Sequence, residues 1–196
     1  MDYLILSVSW IVFCALHSAL ISITAKEYFK RELKEGFIYY RLFYNIFSLV
    51  TITPVLLYTK SVTGTPLFQW DGYLFIIQLF LNLTGAVIVL LAVKEYDMLL
   101  FAGFRQVMTG SDQHVPGESP HIKDTGILGV IRHPFYSAVF LFLWGRDMSA
   151  ADLVVNVILS CYLVIGTILE ERKLVIEFGN GYIVYKKRVP MYIPFT

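Results

Sequence analysis

Apolar residues run along this chain in long blocks separated by short polar connectors, and that pattern predicts membrane-spanning helices. About 20 consecutive apolar residues cross the hydrocarbon of a bilayer. The first block predicts a helix over residues 3–24, with His17 and Ser18 in its second half. It has no basic leading region and no obvious cleavage site, so it reads as a retained helix and not a signal peptide. A basic connector with Lys26, Lys30, Arg31 and Lys34 leads to a second helix over 38–58, where Arg41, Tyr44 and Asn45 lie near the start and Pro54 marks a kink. A loop with Gly64, Pro66 and Asp71 follows, then a third helix over 73–93 without a charge. An amphipathic piece ends in Phe104-Arg105-Gln106, and residues 109–125 read as loop, with His114 and His121 given no role.

A fourth apolar stretch begins near Arg132 and must end by Arg146-Asp147, barely long enough to cross. A short connector then forces a fifth helix, 153–169, back against the fourth as a hairpin, with Gly145 and Gly166 as candidate points of close approach. Residues 170–196 form a polar, aromatic tail. The expected fold is an all-α membrane protein of about five transmembrane helices, with helices four and five a tight hairpin and a cytoplasmic helical tail. Residues 1–196 form one integral membrane domain, with a three-helix part over 1–93 and a C-terminal part over 94–196.

Composition agrees with that class: 57% of residues are hydrophobic and 16% charged, far from the balance of a soluble domain. A net charge of +1 without a dense basic patch excludes nucleic acid as a partner. Cys14 and Cys161 both lie in apolar runs, no CxxC or HExxH occurs, and neither a disulfide framework nor a metal site is expected. Charge also sets a topology. Five spans put 14 of the 16 Lys and Arg on one side, leaving Lys60 and Arg146 opposite. The positive-inside rule then places the N-terminus outside and the tail in the cytoplasm.

Two blocks could carry chemistry. Arg132-His133-Pro134-Phe135-Tyr136 lies where a polar loop enters an apolar helix. Pro134 suits a first helical turn, and Arg132 and His133 would stand at the helix mouth beside exposed N–H groups, a place suited to anions. Glu170-Glu171, at the exit of the next apolar block, should face water, a partner or a ligand. Tyr182 and Tyr185, three apart, would share a helix face. Each alone has a plainer reading as an interfacial anchor. Together they offer an arginine for a carboxylate, carboxylates for an ammonium or hydroxyls, and aromatic faces for a cation or a base.

The pattern Gly126…Arg132-His133-Pro134-x-Tyr136, then Glu170-Glu171-x-x-Leu174-x-x-x-Phe178-Gly179-x-x-Tyr182-x-x-Tyr185-x-x-x-Val189-Pro190, closely resembles the integral membrane methyltransferases. These include isoprenylcysteine carboxyl, phospholipid and bacterial methanethiol S-methyltransferases. The resemblance implies that the C-terminal half encloses S-adenosylmethionine at the cytoplasmic face, with Gly126, Arg132, His133, Tyr136, Glu170, Glu171, Tyr182 and Tyr185 as its cofactor-binding residues. Arg132 or Arg172 would meet the cofactor's carboxylate, and Glu170 or Glu171 its ammonium or ribose. Arg132 and His133 are the catalytic candidates, with His133 or a nearby carboxylate able to take a proton from a thiol. The acceptor would be a thiol, an isoprenylcysteine carboxylate or a lipid headgroup, arriving from the membrane side or through a tunnel. His17-Ser18, Tyr40-Arg41…Tyr44-Asn45, Tyr96-Asp97…Phe104-Arg105-Gln106 and the tail Val189-Pro190-Met191-x-Ile193-Pro194 resemble the methanethiol branch, which makes His17, Arg41, Asp97 and Arg105 candidates for the substrate entrance.

Two other classes share part of this pattern. In the NADPH-dependent sterol and steroid reductases, RHP is followed by Asn-Tyr and soon by Glu. Here Phe135 stands in the Asn position and Ser137-Ala138 follow Tyr136. A non-enzymatic membrane component of the same fold is the other alternative.

Overall fold

The computed structural model describes residues 1–111 and 122–194. His114, His121, Pro116, Gly117 and Pro120, all placed in a loop by the sequence, lie outside the described residues. Among those described, four helical stretches are long and apolar enough to cross a membrane: Asp2–Ile21, Ile23–Val62, Leu74–Glu95 and Ala150–Phe178. The protein is therefore an all-α membrane protein. The fourth expected span is shorter than a crossing, an 11-residue helix over Pro134–Trp144. It stops there because Gly145 and the polar Arg146-Asp147 end the apolar run.

The chain divides into two compact units, one made of Met1–Gly64 with Asp97–Gly117, the other of Thr65–Tyr96 with Glu118–Thr196. Helix 74–95 thus groups with the C-terminal residues and not with the first two spans.

In the first unit, α1 (Asp2–Ile21) packs on α3 (Tyr40–Val62), and the basic connector between them is itself a helix, α2 (Ile23–Leu33). Ser22 separates α1 from α2 and caps the second, its Oγ accepting from the Ala25 N–H at 3.2 Å. Polar groups inside the α1–α3 seam pair with one another, as apolar surroundings demand. Trp10 Nε1 donates to Thr59 Oγ1 (2.9 Å), the Tyr44 hydroxyl lies 2.6 Å from His17 Nε2, and Tyr40 donates to the Leu20 carbonyl (2.6 Å). Two short helices, α5 (Met98–Ala102) and α6 (Phe104–Thr109), complete the unit. Between them Gly103 takes φ +91° and brings its α-carbon so close to α3 that an added Cβ would sit 2.6 Å from the Leu42 nitrogen.

In the second unit, α7 (Pro134–Trp144) lies chiefly on α4 (Leu74–Glu95) and makes fewer contacts with α8 (Ala150–Phe178). Gly85 of α4 makes room for the Phe142 ring, which a Cβ would meet at 3.0 Å. Gly145 is a point of close approach, but to α4: Asn82 Nδ2 donates to its carbonyl at 2.6 Å. No described residue comes within 4 Å of where a Cβ on Gly166 would stand, so it is not a point of close approach among them.

Beyond α7 the chain bends at Gly145 and Arg146 before a short strand. β2 (Met148–Ser149) pairs antiparallel with β1 (Pro66–Phe68), a small exception to the all-helical expectation. Ser149 and Asp152 then form a capping box that starts α8. The fully buried Asn156 donates to the Leu143 carbonyl (2.7 Å), satisfying an acceptor that α7 leaves open at its end. α8 does not stop at residue 169. It continues through Glu170-Glu171-Arg172-Lys173, good helix formers, until Gly179 turns the chain at φ +58° into α9 (Asn180–Arg188).

Gly103→Ala should lower stability by about 1–3 kcal/mol, through a left-handed backbone and a backbone clash together. The thermal unfolding midpoint in detergent measures it; an unchanged midpoint would show that α3 can yield there.

Candidate functional site

The extra turns of α8 carry Glu170 and Glu171 to the N-terminal mouth of α7, and this is where the titratable groups of the second unit converge. Pro134 occupies the first turn of α7 as its sequence predicts, with His133 as the capping residue. Arg132 and His133 are held in place from the tail. The Arg132 N–H donates to the Pro190 carbonyl (2.9 Å) and the His133 N–H to the Met191 carbonyl (3.1 Å). Ser137 Oγ donates to the Tyr192 carbonyl (3.0 Å), and Tyr192 donates to Thr167 Oγ1 on α8 (2.6 Å). Residues 190–192 thus lie against the two residues that lead into α7 and against Ser137 in the helix.

Glu171 is the most deeply buried of the charges, at 2% exposure. Its Oε1 accepts from Arg132 Nε at 2.8 Å and lies 2.7 Å from Nη2 as an ion pair, and its Oε2 lies 2.6 Å from Lys186 Nζ on α9. Arg132 Nη1 donates to the Lys186 carbonyl (2.9 Å) and to the Val189 carbonyl. All three guanidinium nitrogens are therefore engaged within the protein, and Arg132 is itself buried.

Glu170, by contrast, is half exposed, its side chain at 45%. Its Oε2 accepts from the Tyr136 hydroxyl at 2.9 Å and lies 3.8 Å from His133 Nδ1. The His133 ring stacks parallel to Tyr136, centroids 5.6 Å apart and planes within 3°. His133 Nε2 is 3.3 Å from Glu171 Oε1. A carboxylate can only accept, so this nitrogen carries the proton and Nδ1 keeps its lone pair on the Glu170 side. Burial holds the imidazole below its ordinary pKa, outweighing the pull of Glu170 and Glu171 in the other direction. His133 is thus neutral, with an acceptor nitrogen beside a partly open carboxylate.

Tyr182 and Tyr185 are both buried and pack with Val189, Leu174, Val175, Phe178 and Ile122. Tyr185 donates to the Leu128 carbonyl (2.7 Å), and burial pushes its pKa up to about 12, so it remains a donor. The pair holds α9 to the loop before α7. Gly126 takes φ +55° directly against Glu95, whose carboxylate a Cβ would overlap and which pairs with Lys123 (2.9 Å).

The other candidates lie in the first unit. Asp97 caps α5 and pairs with Arg105 at 2.8 Å. Arg41 Nη1 donates to the Leu100 carbonyl (3.0 Å), and His17 sits among Tyr44 and Ser48. The sequence reading missed Lys186, hidden in a Lys-Lys-Arg run that resembles a solvated face. It also missed Thr167 and Tyr192. The offset of Lys186 by four from Tyr182 was the available signal, since it puts both on one side of α9.

The site belongs to a helical membrane protein with an ion cluster buried at one helix mouth. Comparison with known proteins bears out the resemblance to the membrane methyltransferases: the chain's curated relatives are methanethiol S-methyltransferases. It is 32% identical over 108 residues to the methanethiol S-methyltransferase of a Pseudomonas species, covering 55% of this chain and 41% of the relative. It is 35% identical over 77 residues to methanethiol S-methyltransferase 1 of Bradyrhizobium diazoefficiens, covering 39% and 27%. With the Crocosphaera subtropica methanethiol S-methyltransferase it shares 39% over 66 residues, covering 33% and 26%. The chain therefore spans less than half the length of these three relatives. No family model matches it, and no solved structure does.

Glu171→Ala should cost about 3–5 kcal/mol, because it strands Arg132 in a buried position. Glu170→Gln should stay within about 0.5 kcal/mol, as a partly exposed group that keeps its oxygen for Tyr136. Thermal unfolding of the two variants side by side checks this; equal losses would show that the carboxylates share one structural task.

Proposed function

We propose that this protein transfers a methyl group from S-adenosylmethionine to a small thiol. The observation that carries the reading is the division of labour between the adjacent carboxylates. Glu171 is neutralised by Arg132 and Lys186, whereas Glu170 is half exposed beside the His133 and Tyr136 rings. A cationic ligand fits the second and not the first. The names of the relatives support methyl transfer and a thiol acceptor.

When bound, S-adenosylmethionine supplies an electrophilic methyl on a sulfonium. Glu170 would pair with a positive group of the cofactor, oriented by the Tyr136 hydroxyl. Arg132, with its donors engaged, would hold the site together, leaving the exposed Arg172 to meet a carboxylate. His133 Nδ1 would take the proton of the incoming thiol, since a thiolate is the nucleophile. Gly126, Tyr182 and Tyr185 would act by placing the loop and α9 around the site. The remaining task is to position the reactants and exclude water.

This reading also takes up the five-crossing topology. α7 rises about 16 Å at 1.5 Å per residue, and residues 145–147 lead on to β2, which pairs with β1. α7 and this connection together would make the fifth crossing. With 14 of the 16 Lys and Arg on one side, the N-terminus would be outside and Glu170 at the cytoplasmic face, where a soluble cofactor is available.

Calorimetry in detergent should show S-adenosylmethionine binding to the wild type, weakened about tenfold or more in Glu170→Gln by loss of a charge-assisted contact. No binding to the wild type sinks the proposal, and NADPH binding in its place favours the reductase class. Labelled methyl transfer should favour methanethiol over an isoprenylcysteine and a phospholipid. His133→Gln should lower kcat for the thiol by about 100-fold or more, the contribution of a general base, while cofactor affinity is largely kept.

A further inference from the structure

His133 stands between two carboxylates, and the one that takes its proton decides whether it can act as a base. Its Nε2 is 3.3 Å from Glu171 Oε1 and its Nδ1 is 3.8 Å from Glu170 Oε2, a difference of 0.5 Å. The shorter contact is already at the long limit for a hydrogen bond, so a small displacement of the ring would exchange one partner for the other. With the proton on Nε2, Nδ1 keeps the lone pair that a thiol proton needs. With the proton on Nδ1, that lone pair is lost and a Glu170 oxygen is occupied.

The placement of the ring is set from residues 191 and 192. The His133 N–H donates to the Met191 carbonyl at 3.1 Å. The His133 carbonyl lies 3.1 Å from Ser137 Oγ, a hydroxyl shared with the Tyr192 carbonyl at 3.0 Å. The Tyr192 ring meets the His133 ring edge-on, centroids 6.3 Å apart at 61°, and the Phe140 ring of α7 at 5.4 Å and 67°. Its hydroxyl donates to Thr167 Oγ1 at 2.6 Å. Thr167 is fully buried and stands four residues before Glu171, on the same face of α8. Tyr192 therefore rests on α7 through its ring and backbone and on α8 through its hydroxyl. It bridges the two helices one turn from the carboxylate that orients His133.

We propose that Tyr192 is a positioning residue for the reaction: braced on Thr167, it holds the His133 ring on Glu171 and off Glu170, and so selects the tautomer with its lone pair on Nδ1. The inference rests on the reading of His133 as the base in methyl transfer. Tyr192 acts through His133 and not on the reactants. A site of this kind works only when its supporting contacts hold the reacting group to within about 0.5 Å, which is the margin between the two carboxylates here.

The experiment uses the full chain in detergent at neutral pH, with nitrogen-labelled histidine rings and His133→Gln to assign the His133 signals. Ring-nitrogen chemical shifts distinguish a protonated from an unprotonated nitrogen, so they report the tautomer without any turnover. Tyr192→Phe and Thr167→Val each remove one end of the brace and keep its shape, whereas Thr167→Ser keeps the hydroxyl. Thr59→Val serves as the control for a general loss of stability, because it removes another bond to a threonine hydroxyl, that from Trp10 in the first unit. His133 should carry its proton on Nε2 in wild type, Thr167→Ser and Thr59→Val, and should divide between both tautomers in Tyr192→Phe and Thr167→Val. In those two variants kcat for the thiol should fall about tenfold, as a displacement of less than about 1 Å would cause, with a smaller change in S-adenosylmethionine affinity. A single tautomer in every variant would overturn the proposal, and so would a kcat loss in Thr59→Val as large as in the brace variants. A wild type that neither binds S-adenosylmethionine nor transfers methyl, yet shows the tautomer change when the brace is cut, would sink the methyl-transfer reading and uphold the bracing of His133.

Discussion

The ion cluster around Glu171 is the constraint on which the second unit depends. A carboxylate at 2% exposure cannot stay charged without partners, and its partners come from three separate stretches of chain. Arg132 precedes α7, Lys186 lies on α9, and Glu171 itself sits in the extension of α8. Satisfying one charge therefore fixes the mouth of one helix, the exit of another and the position of the terminal helix. The guanidinium adds to this by tying itself to the Lys186 and Val189 carbonyls.

That arrangement sets residues 190–192 against the start of α7. The backbone N–H groups of Arg132 and His133 lie just before the first helical residue, and the carbonyls of Pro190 and Met191 accept from them. The outward-facing polar function falls to Glu170, one residue from Glu171 and about 100° round the helix, outside the cluster and beside the stacked His133 and Tyr136 rings.

Much of this was legible from the residues and part was not, for physical reasons. Hydrophobic block length marked the long helices, because a bilayer imposes one length on all of them. Pro134 announced the start of α7, and the spacing of Arg132, His133, Tyr136, Glu170 and Glu171 announced that they meet. What block length cannot show is where a helix ends once it leaves the apolar region: α8 continues to Phe178 through charged residues, since helix propensity does not depend on being in lipid. The partition between the adjacent glutamates was also hidden. Both are Glu in the sequence, and only the arrival of Arg132 and Lys186 on one side distinguishes them. Lys186 was missed on the same ground, because a lysine in a basic run gives no sign that its amine turns inward. Gly166 failed as a contact because α7 packs on α4, and residue size alone names no partner.

The brevity of α7 connects fold and site. A helix that ends partway along its neighbour exposes carbonyls where water is scarce, so they must find donors within the protein. Asn156 supplies one to Leu143 and Asn82 another to Gly145. With those ends satisfied, the chain bends at Gly145 and Arg146 and enters β2, which pairs with β1. Two side-chain amides thus serve one end of the short helix. At its other end the continuation of α8 beyond residue 169 brings Glu171 onto Arg132 and sets Glu170 beside His133 and Tyr136, so the short helix and the long one meet at a site that neither forms alone.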